Sequence, residues 1–216
     1  MKKAAIFDMD GLLFDTERLY RDSWVIVAKR FGQEPDPAFP RAICGTSGAH
    51  SLEVIRTHYP AVDAQAFWDC GVARVDELTA RSVPVKPGAV EILAFFRERG
   101  MKLAVASSSP YEMILRNLEK SGLKGYFAVV LSGEQVERGK PEPDIFLKAA
   151  ALLGCAPTDC YVFEDGINGS RAGIAAGCAT VMVPDLTPPT DDLKQGCTAI
   201  CVSLLEARDR MENGLL

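Results

Sequence analysis

From Lys86 onward, strand and helix signals alternate along the chain, and few folds accommodate that alternation. Ala89 to Arg99 carries the helical period and stops at Gly100, after which Lys102 to Ala106 reads as a strand. Ser109-Pro110-Tyr111-Glu112 has the form of a capping box with Pro at the first helical position, opening a helix that closes near Gly122. Phe127 to Leu131 follows as a strand, Asp144 as the cap of a helix through Leu153, Gly154 as its stop, and Cys160 to Phe163 as a strand. A helix around Ser170 to Ala176, strands at Ala179 to Val183 and Ala199 to Val202, and a helix opened by Ser203 with Glu206 complete the series. The pattern predicts a doubly wound, Rossmann-like α/β domain on a parallel sheet.

Strand signals vanish between Thr16 and Arg81. Tyr20, Trp24, Val27 and Phe31 fall on one helical face there, and Val54, Ile55, Phe67, Val72, Val75 and Leu78 continue in helix-like groupings. Gly11 to Asp15 precedes this stretch and Ser82-Val83-Pro84-Val85-Lys86-Pro87-Gly88 follows it, so two hinges flank a helical insert. The expected organisation is an α/β core over residues 1–15 and 83–216, with a helical cap over 16–82.

The first strand signal, Ala4-Ala5-Ile6-Phe7, runs into Asp8-Met9-Asp10-Gly11. With residues 4–9 extended, side chains alternate faces, so Asp8 and Asp10 leave on one side and can reach one ligand. Paired carboxylates repel unless a hard cation neutralises one while the other keeps a proton, an arrangement suited to an Asp nucleophile beside an Asp acid. A calcium loop of the EF-hand type would need oxygen ligands where the chain has Leu12 and Leu19.

In open parallel sheets ligands bind beyond the carboxyl ends of the strands, where residues distant in sequence converge. After the predicted strands stand Asp8 and Asp10, then Ser107, Ser108 and Ser109, then Lys140 in Gly139-Lys140-Pro141, then Glu164 and Asp165. Each alone has an ordinary reading, Ser109 as a helix cap, Lys140 as a solvated lysine, the acidic pair as helix-dipole partners. Together they form a set for phosphoryl transfer, with carboxylates for Mg²⁺ and a hydroxyl and an ammonium around the transferring group. Gly139-Lys140-Pro141 is not a Walker loop, because Pro stands where that loop has Ser or Thr.

Composition narrows the partners. A net charge of −5 with no basic stripe argues against nucleic acid. The longest apolar stretches are too short or too glycine-broken to span a bilayer, and no signal peptide opens the chain, so a cytoplasmic location away from membranes is expected. Seven cysteines with no Cys-x-x-Cys read as reduced core thiols.

These segments, in this order, resemble the haloacid dehalogenase-like superfamily, in its branch with a helical cap inserted after the first motif. The four motifs stand here as Phe7-Asp8-Met9-Asp10-Gly11, Ala106-Ser107-Ser108-Ser109, Gly139-Lys140-Pro141-Glu142-Pro143-Asp144 and Phe163-Glu164-Asp165-Gly166, with Gly169 and Gly173 beyond. The resemblance implies a Mg²⁺-dependent phosphatase in which Asp8 attacks phosphorus, Asp10 serves as acid and base, and Ser107, Ser108 and Lys140 bind phosphate. It also implies Mg²⁺ at Asp8, the Asp10 carbonyl, Asp165 and Glu164.

Three rivals share parts of the set. A mutase of the β-phosphoglucomutase type carries an Arg in a Gly-x-Ser-Arg cap loop and a His on its first cap helix, where this chain has Gly45-Thr46-Ser47-Gly48 and Tyr20. A dehalogenase lacks the acid at Asp10, and a receiver-like phospho-acceptor lacks both Asp10 and a cap. The stretch from Phe7 to Tyr20 resembles pseudouridine-5′-phosphatases as well as bacterial sugar-phosphate phosphatases, so a sugar phosphate or nucleotide-like monophosphate is the expected substrate. Tyr20, Arg21, His50 and Arg74 are the candidate contacts to its leaving group, and a monomer is the expected state.

Overall fold

The computed structural model describes residues 2–44, 46 and 48–216. Six parallel strands form one sheet: β1 (Ala4–Phe7), β2 (Lys102–Ser107), β3 (Val129–Ser132), β4 (Cys160–Glu164), β5 (Ala179–Met182) and β6 (Ala199–Ile200), in the order β3-β2-β1-β4-β5-β6. The order reverses between β1 and β4. A crevice therefore opens beyond the carboxyl ends of those two strands.

β1 is buried on both faces, which is why its sequence is a run of apolar residues without polar alternation. Ala5 and Phe7 point into one core, with Leu103, Val105 and Phe163, under α5 (Ala89–Glu98), α6 (Tyr111–Lys120) and α10 (Leu204–Glu212). Ala4 and Ile6 point into the other, with Ala104, Ala106 and Val162, under α7 (Asp144–Leu153) and α8 (Ile167–Ala175). Phe7 stacks on Phe163 at 4.7 Å and meets the edge of Phe96 at 6.0 Å. Burying a ring of that size contributes about 2–3 kcal/mol.

Between β1 and α5 the chain folds into α1 (Thr16–Arg30), α2 (Phe39–Ile43), α3 (Gly48–His58) and α4 (Ala64–Leu78), a helical insert with an aromatic core of its own. Trp24 stacks on Phe67 at 5.9 Å, and Phe39 meets Tyr59 at 5.0 Å. α1 and α4 approach closely because Gly71 faces the Trp24 indole, where a Cβ would come within 1.9 Å of the ring. Leu78, grouped with the buried face by its spacing, is instead exposed at the helix end.

The chain leaves and re-enters the sheet unit through a short ribbon. Phe14 pairs with Val85 in antiparallel fashion, the Asp15 amide donates to the Pro84 carbonyl at 2.9 Å, and the Lys86 amide donates to the Leu13 carbonyl at 2.8 Å. The Lys86 ammonium then reaches Asp185 at 2.7 Å, fastening the ribbon to the loop after β5.

Several expected boundaries shift. β1 ends at Phe7, two residues short, and Val202 is an exposed residue outside the last strand. Gly154 does end α7, with φ 70°, and the Ser203 hydroxyl does accept the Glu206 amide at 3.1 Å. The capping box at Ser109 is not formed. Pro110 precedes the first turn of α6, and the Tyr111 amide donates to the Glu134 carboxylate at 3.0 Å, so a cap from beyond β3 satisfies that helix end and releases Ser109. Among the described residues no helix is long and apolar enough to cross a membrane, and all seven cysteines are unpaired.

Candidate active site

Asp8 follows β1 directly and is held by its own amide, which donates to the Phe163 carbonyl at 3.0 Å. Lys140, from the loop between β3 and α7, crosses beneath the crevice. Its ammonium donates to Asp8 Oδ1 at 2.5 Å, to Glu164 Oε1 at 2.6 Å and to the Ala106 carbonyl at 3.1 Å, and its side chain is 5% exposed. Burial alone would lower the affinity of this amine for its proton; the Asp8 and Glu164 carboxylates reverse that and raise it above the usual lysine range.

Glu164, the last residue of β4, is fully engaged: Oε1 takes Lys140 and Oε2 takes the Gly166 amide at 3.0 Å. Burial nevertheless pushes it up to about 7, against the pull of Lys140. Asp165 is buried beside it with no basic side chain of the described residues in contact, and burial followed by repulsion from Glu164 and Asp8 raises its carboxyl well above the ordinary range. Oxygens of Asp8, Glu164 and Asp165 all lie within 4.8 Å of one another. Three buried carboxylates around one ammonium leave uncompensated negative charge of the kind a hard divalent cation relieves, so the donor set fits Mg²⁺.

Asp10 stands apart from this cluster, facing hydroxyls. Thr16 donates to Oδ1 at 2.6 Å, Ser109 to Oδ2 at 2.7 Å and Ser107 to Oδ2 at 3.4 Å. Burial raises its carboxyl above the ordinary value, the hydroxyls oppose the rise, and Asp8 adds to it. Gly11 makes the bend possible. Its φ is 83°, and a Cβ there would come within 2.3 Å of Asp165 Oδ2. Gly169 plays a similar part under Glu164, where a Cβ would lie 1.6 Å from Oε1.

Asp8, Asp10, Ser107, Ser108, Lys140, Glu164 and Asp165 line one cavity of about 330 Å³, which His50 also borders at its exposed mouth. Within it the Ser107 hydroxyl serves its own loop, accepting the Ser109 amide at 3.0 Å, whereas Ser108 faces the open space. Tyr20 lines a second, adjoining cavity, described below. Arg74 does not reach either cavity; it pairs with Glu77 at 3.1 Å on α4, so among the four leaving-group candidates it is set aside. Arg21 pairs with Asp22 on the surface. Gly45 and Ser47 of the cap loop lie outside the described residues.

Two groups have surroundings that their local pattern does not indicate. Ser109 has the pattern of a helix cap, and Glu17 is an acid in the first turn of α1, where the dipole accounts for it. In the fold Glu17 lines both cavities, and burial followed by repulsion from Asp10 pushes it up to about 7.

Comparison with known proteins places the chain among relatives along most of its length. The family profile described as haloacid dehalogenase-like hydrolase matches residues 2–177. The chain is 34% identical over 179 residues to a phosphorylated carbohydrates phosphatase of Thermotoga maritima, covering 81% of this chain and 82% of that one. It is 32% identical over 186 residues to a probable pseudouridine-5′-phosphatase of Drosophila melanogaster, covering 83% and 80%. Among solved structures, a putative β-phosphoglucomutase from Thermotoga maritima superposes with a TM-score of 0.79 at 29% identity, covering 98% of this chain and 99% of the other.

Proposed function

The chain belongs to the haloacid dehalogenase-like hydrolase family, and on that premise we propose that it is a Mg²⁺-dependent phosphatase that cleaves a small phosphate monoester, a sugar phosphate or nucleotide-like monophosphate, through an aspartyl-phosphate on Asp8. The observation that carries this reading is the division of labour between the two N-terminal carboxylates. Asp8 accepts an ammonium, whereas Asp10 is surrounded by hydroxyls and burial raises its carboxyl above the ordinary value, which suits it to carry the proton.

Lys140 orients Asp8 and offers the remaining donor capacity of its ammonium to the phosphate oxygens, reducing the repulsion between two anions as they approach. Asp8 Oδ attacks phosphorus, the bond from phosphorus to the ester oxygen breaks, and that oxygen takes the proton of Asp10. A water molecule then gives its proton to Asp10 and attacks phosphorus, freeing inorganic phosphate and the Asp8 carboxylate. Asp10 thus ends the cycle protonated, as it began. Asp8, Asp165, Glu164 and the Asp10 carbonyl would hold Mg²⁺, which supplies charge neutralisation at the transferring phosphoryl group when bound. Ser107, Ser108 and the loop amides beside them complete the phosphate cradle.

We assign residues 1–15 and 83–216 to the catalytic core and 16–82 to the cap, with the Phe14–Val85 ribbon as hinge. The reading takes a monomeric, cytoplasmic enzyme without nucleic-acid or membrane partners. A mutase is not favoured: Tyr20 occupies the helix position of its cap histidine, and the relatives named above as phosphatases exceed 30% identity. Incubation with Mg²⁺ and a panel of sugar and nucleoside monophosphates, reading free phosphate beside an Asp8→Asn control, tests the proposal. Phosphate release abolished in the control supports it; interconversion of hexose 1- and 6-phosphates without release would replace it.

A further inference from the structure

The cavity around Asp8 is bordered by Asp10 and, at its outer parts, by Arg41, His50 and Arg171. Beyond Asp10 a second cavity of about 490 Å³ opens between the helical insert and the sheet unit, sharing Asp10, Glu17 and Ser108 with the first. The two are continuous at the group that protonates the ester oxygen. With phosphorus beside Asp8 and the ester oxygen facing Asp10, the alcohol of the substrate extends into this second space.

Its walls are unlike those of the first. Tyr20 and Trp24 from α1 and Trp68 and Val72 from α4 face Pro110 and Met113 of the sheet unit. The three aromatic rings form a row, Tyr20 to Trp24 at 6.0 Å and 26° between planes, Trp24 to Trp68 at 5.9 Å and 30°. Trp24 is fixed from behind by Phe67 and by the absence of a side chain at Gly71, so the row is a rigid support. The only charged groups lining the space, among the described residues, are the carboxylates of Asp10, Glu17 and Glu134; no Lys, Arg or His borders it.

A second phosphate or a carboxylate on the alcohol would find no cation in this second space. An open-chain polyol would turn hydroxyls toward Val72 and Met113, leaving donors without partners. A flat ring instead offers its face to the aromatic row and its polar edge to Glu17 and Glu134. Resting on the phosphatase reading, we propose that the natural leaving group carries an uncharged planar ring on a short alcohol, so that nucleoside-like 5′-monoesters are preferred over plain sugar phosphates.

Ribose 5-phosphate and uridine 5′-monophosphate share the same primary ester and differ in the ring, so the ratio of their kcat/KM values reads the chamber without interference from leaving-group chemistry. Stacking of a base on an aromatic side chain implies a ratio of about tenfold or more in favour of the uridine ester. Trp68→Ala should collapse the ratio toward one, and Trp68→Phe should retain most of it. A wild-type ratio near one, or a Trp68→Ala protein that keeps the ratio, would overturn the inference. Calorimetric binding of uridine to the Asp8→Asn protein and to its Trp68→Ala double variant keeps the two proposals separable. Uridine binding that depends on Trp68, with no ester hydrolysed by the wild type, overturns the phosphatase reading and leaves the planar-ring site standing; no binding of uridine overturns the site.

Discussion

The Lys140 ammonium stands 2.6 Å from Glu164 Oε1 and is held there, at 5% exposure, by three acceptors from three different strand ends. Glu164 is correspondingly fixed by Lys140 on one oxygen and by the Gly166 amide on the other. The pair places a positive charge under the Asp8 carboxylate and links the third motif to the fourth.

Replacing Lys140 by Met removes the one ammonium from this cluster and leaves Asp8 and Glu164 buried without a counter-charge. Breaking a buried pair in this way costs about 3–5 kcal/mol. Urea unfolding of Lys140→Met at neutral pH should show a loss of that order, and phosphate release should fall about a hundredfold or more. A variant of native stability with full turnover would mean that the cluster does not depend on Lys140.

Gly169→Ala puts a methyl 1.6 Å from Glu164 Oε1, and Glu164 has both oxygens committed, so it cannot swing aside freely. Overpacking of this kind costs about 1–3 kcal/mol, and the displaced carboxylate would loosen its hold on Lys140. The expected result is a modest fall in melting temperature with a disproportionate loss of kcat. An alanine variant with unaltered kcat would show that the Glu164 position is not constrained as described.

Burial pushes Glu17 up to about 7 from 4.5 and raises Asp10 and Asp165 as well. A carboxyl with a raised value in the folded state binds its proton more tightly folded than unfolded. Its stabilising contribution is complete below the unfolded value and is lost as pH rises through the folded one. Thermal melts in EDTA should therefore fall between about pH 5 and about pH 8, and Mg²⁺ should raise the melting temperature most at the upper end, where the carboxylates are ionised. Equal melting temperatures across that range, or a Mg²⁺ effect largest at low pH, would contradict the assignment.

Arg116 on α6 pairs with Asp76 on α4, and Lys120 donates to the Thr79 carbonyl at 2.9 Å, so the insert is tied to the sheet unit opposite the ribbon. Both members of the ion pair are more than a third exposed. A double-mutant cycle with Arg116→Ala and Asp76→Ala should give a coupling of about 1 kcal/mol or less in low salt, shrinking as salt is added. A coupling of several kcal/mol, insensitive to salt, would mark the contact as a buried lock instead of a surface tie.

Much of this architecture was legible because parallel strands covered on both faces are short apolar runs, and Ala4–Phe7, Lys102–Ser107 and Cys160–Glu164 each end against a polar group of the site. The glycines mark where those groups crowd, Gly11 under Asp165 and Gly169 under Glu164. The misread residues are ones whose partners come from far along the chain. Ser109 has the local pattern of a cap, yet its hydroxyl serves Asp10, 99 positions away, while Glu134 takes over the helix end. Glu17, not singled out by its sequence context, sits in the first turn of α1 with no local sign of the two cavities it lines. Helical spacing identifies one face of α4 without distinguishing a packed core from a cavity wall. Phe67 and Val75 lie in the first, Trp68 and Val72 line the second, and Arg74, one of the charged candidates, faces neither cavity.

The central claim is that Asp8 carries the phosphoryl group between substrate and water. Acid quench during steady-state turnover, followed by borohydride reduction and peptide mass analysis, reads it directly, because reduction converts an aspartyl-phosphate into a stable homoserine. Homoserine at position 8, dependent on substrate and absent in Lys140→Met, is the predicted result. Continued phosphate release with an unmodified Asp8 peptide, or modification at Asp10 or Asp165 in its place, would contradict the account.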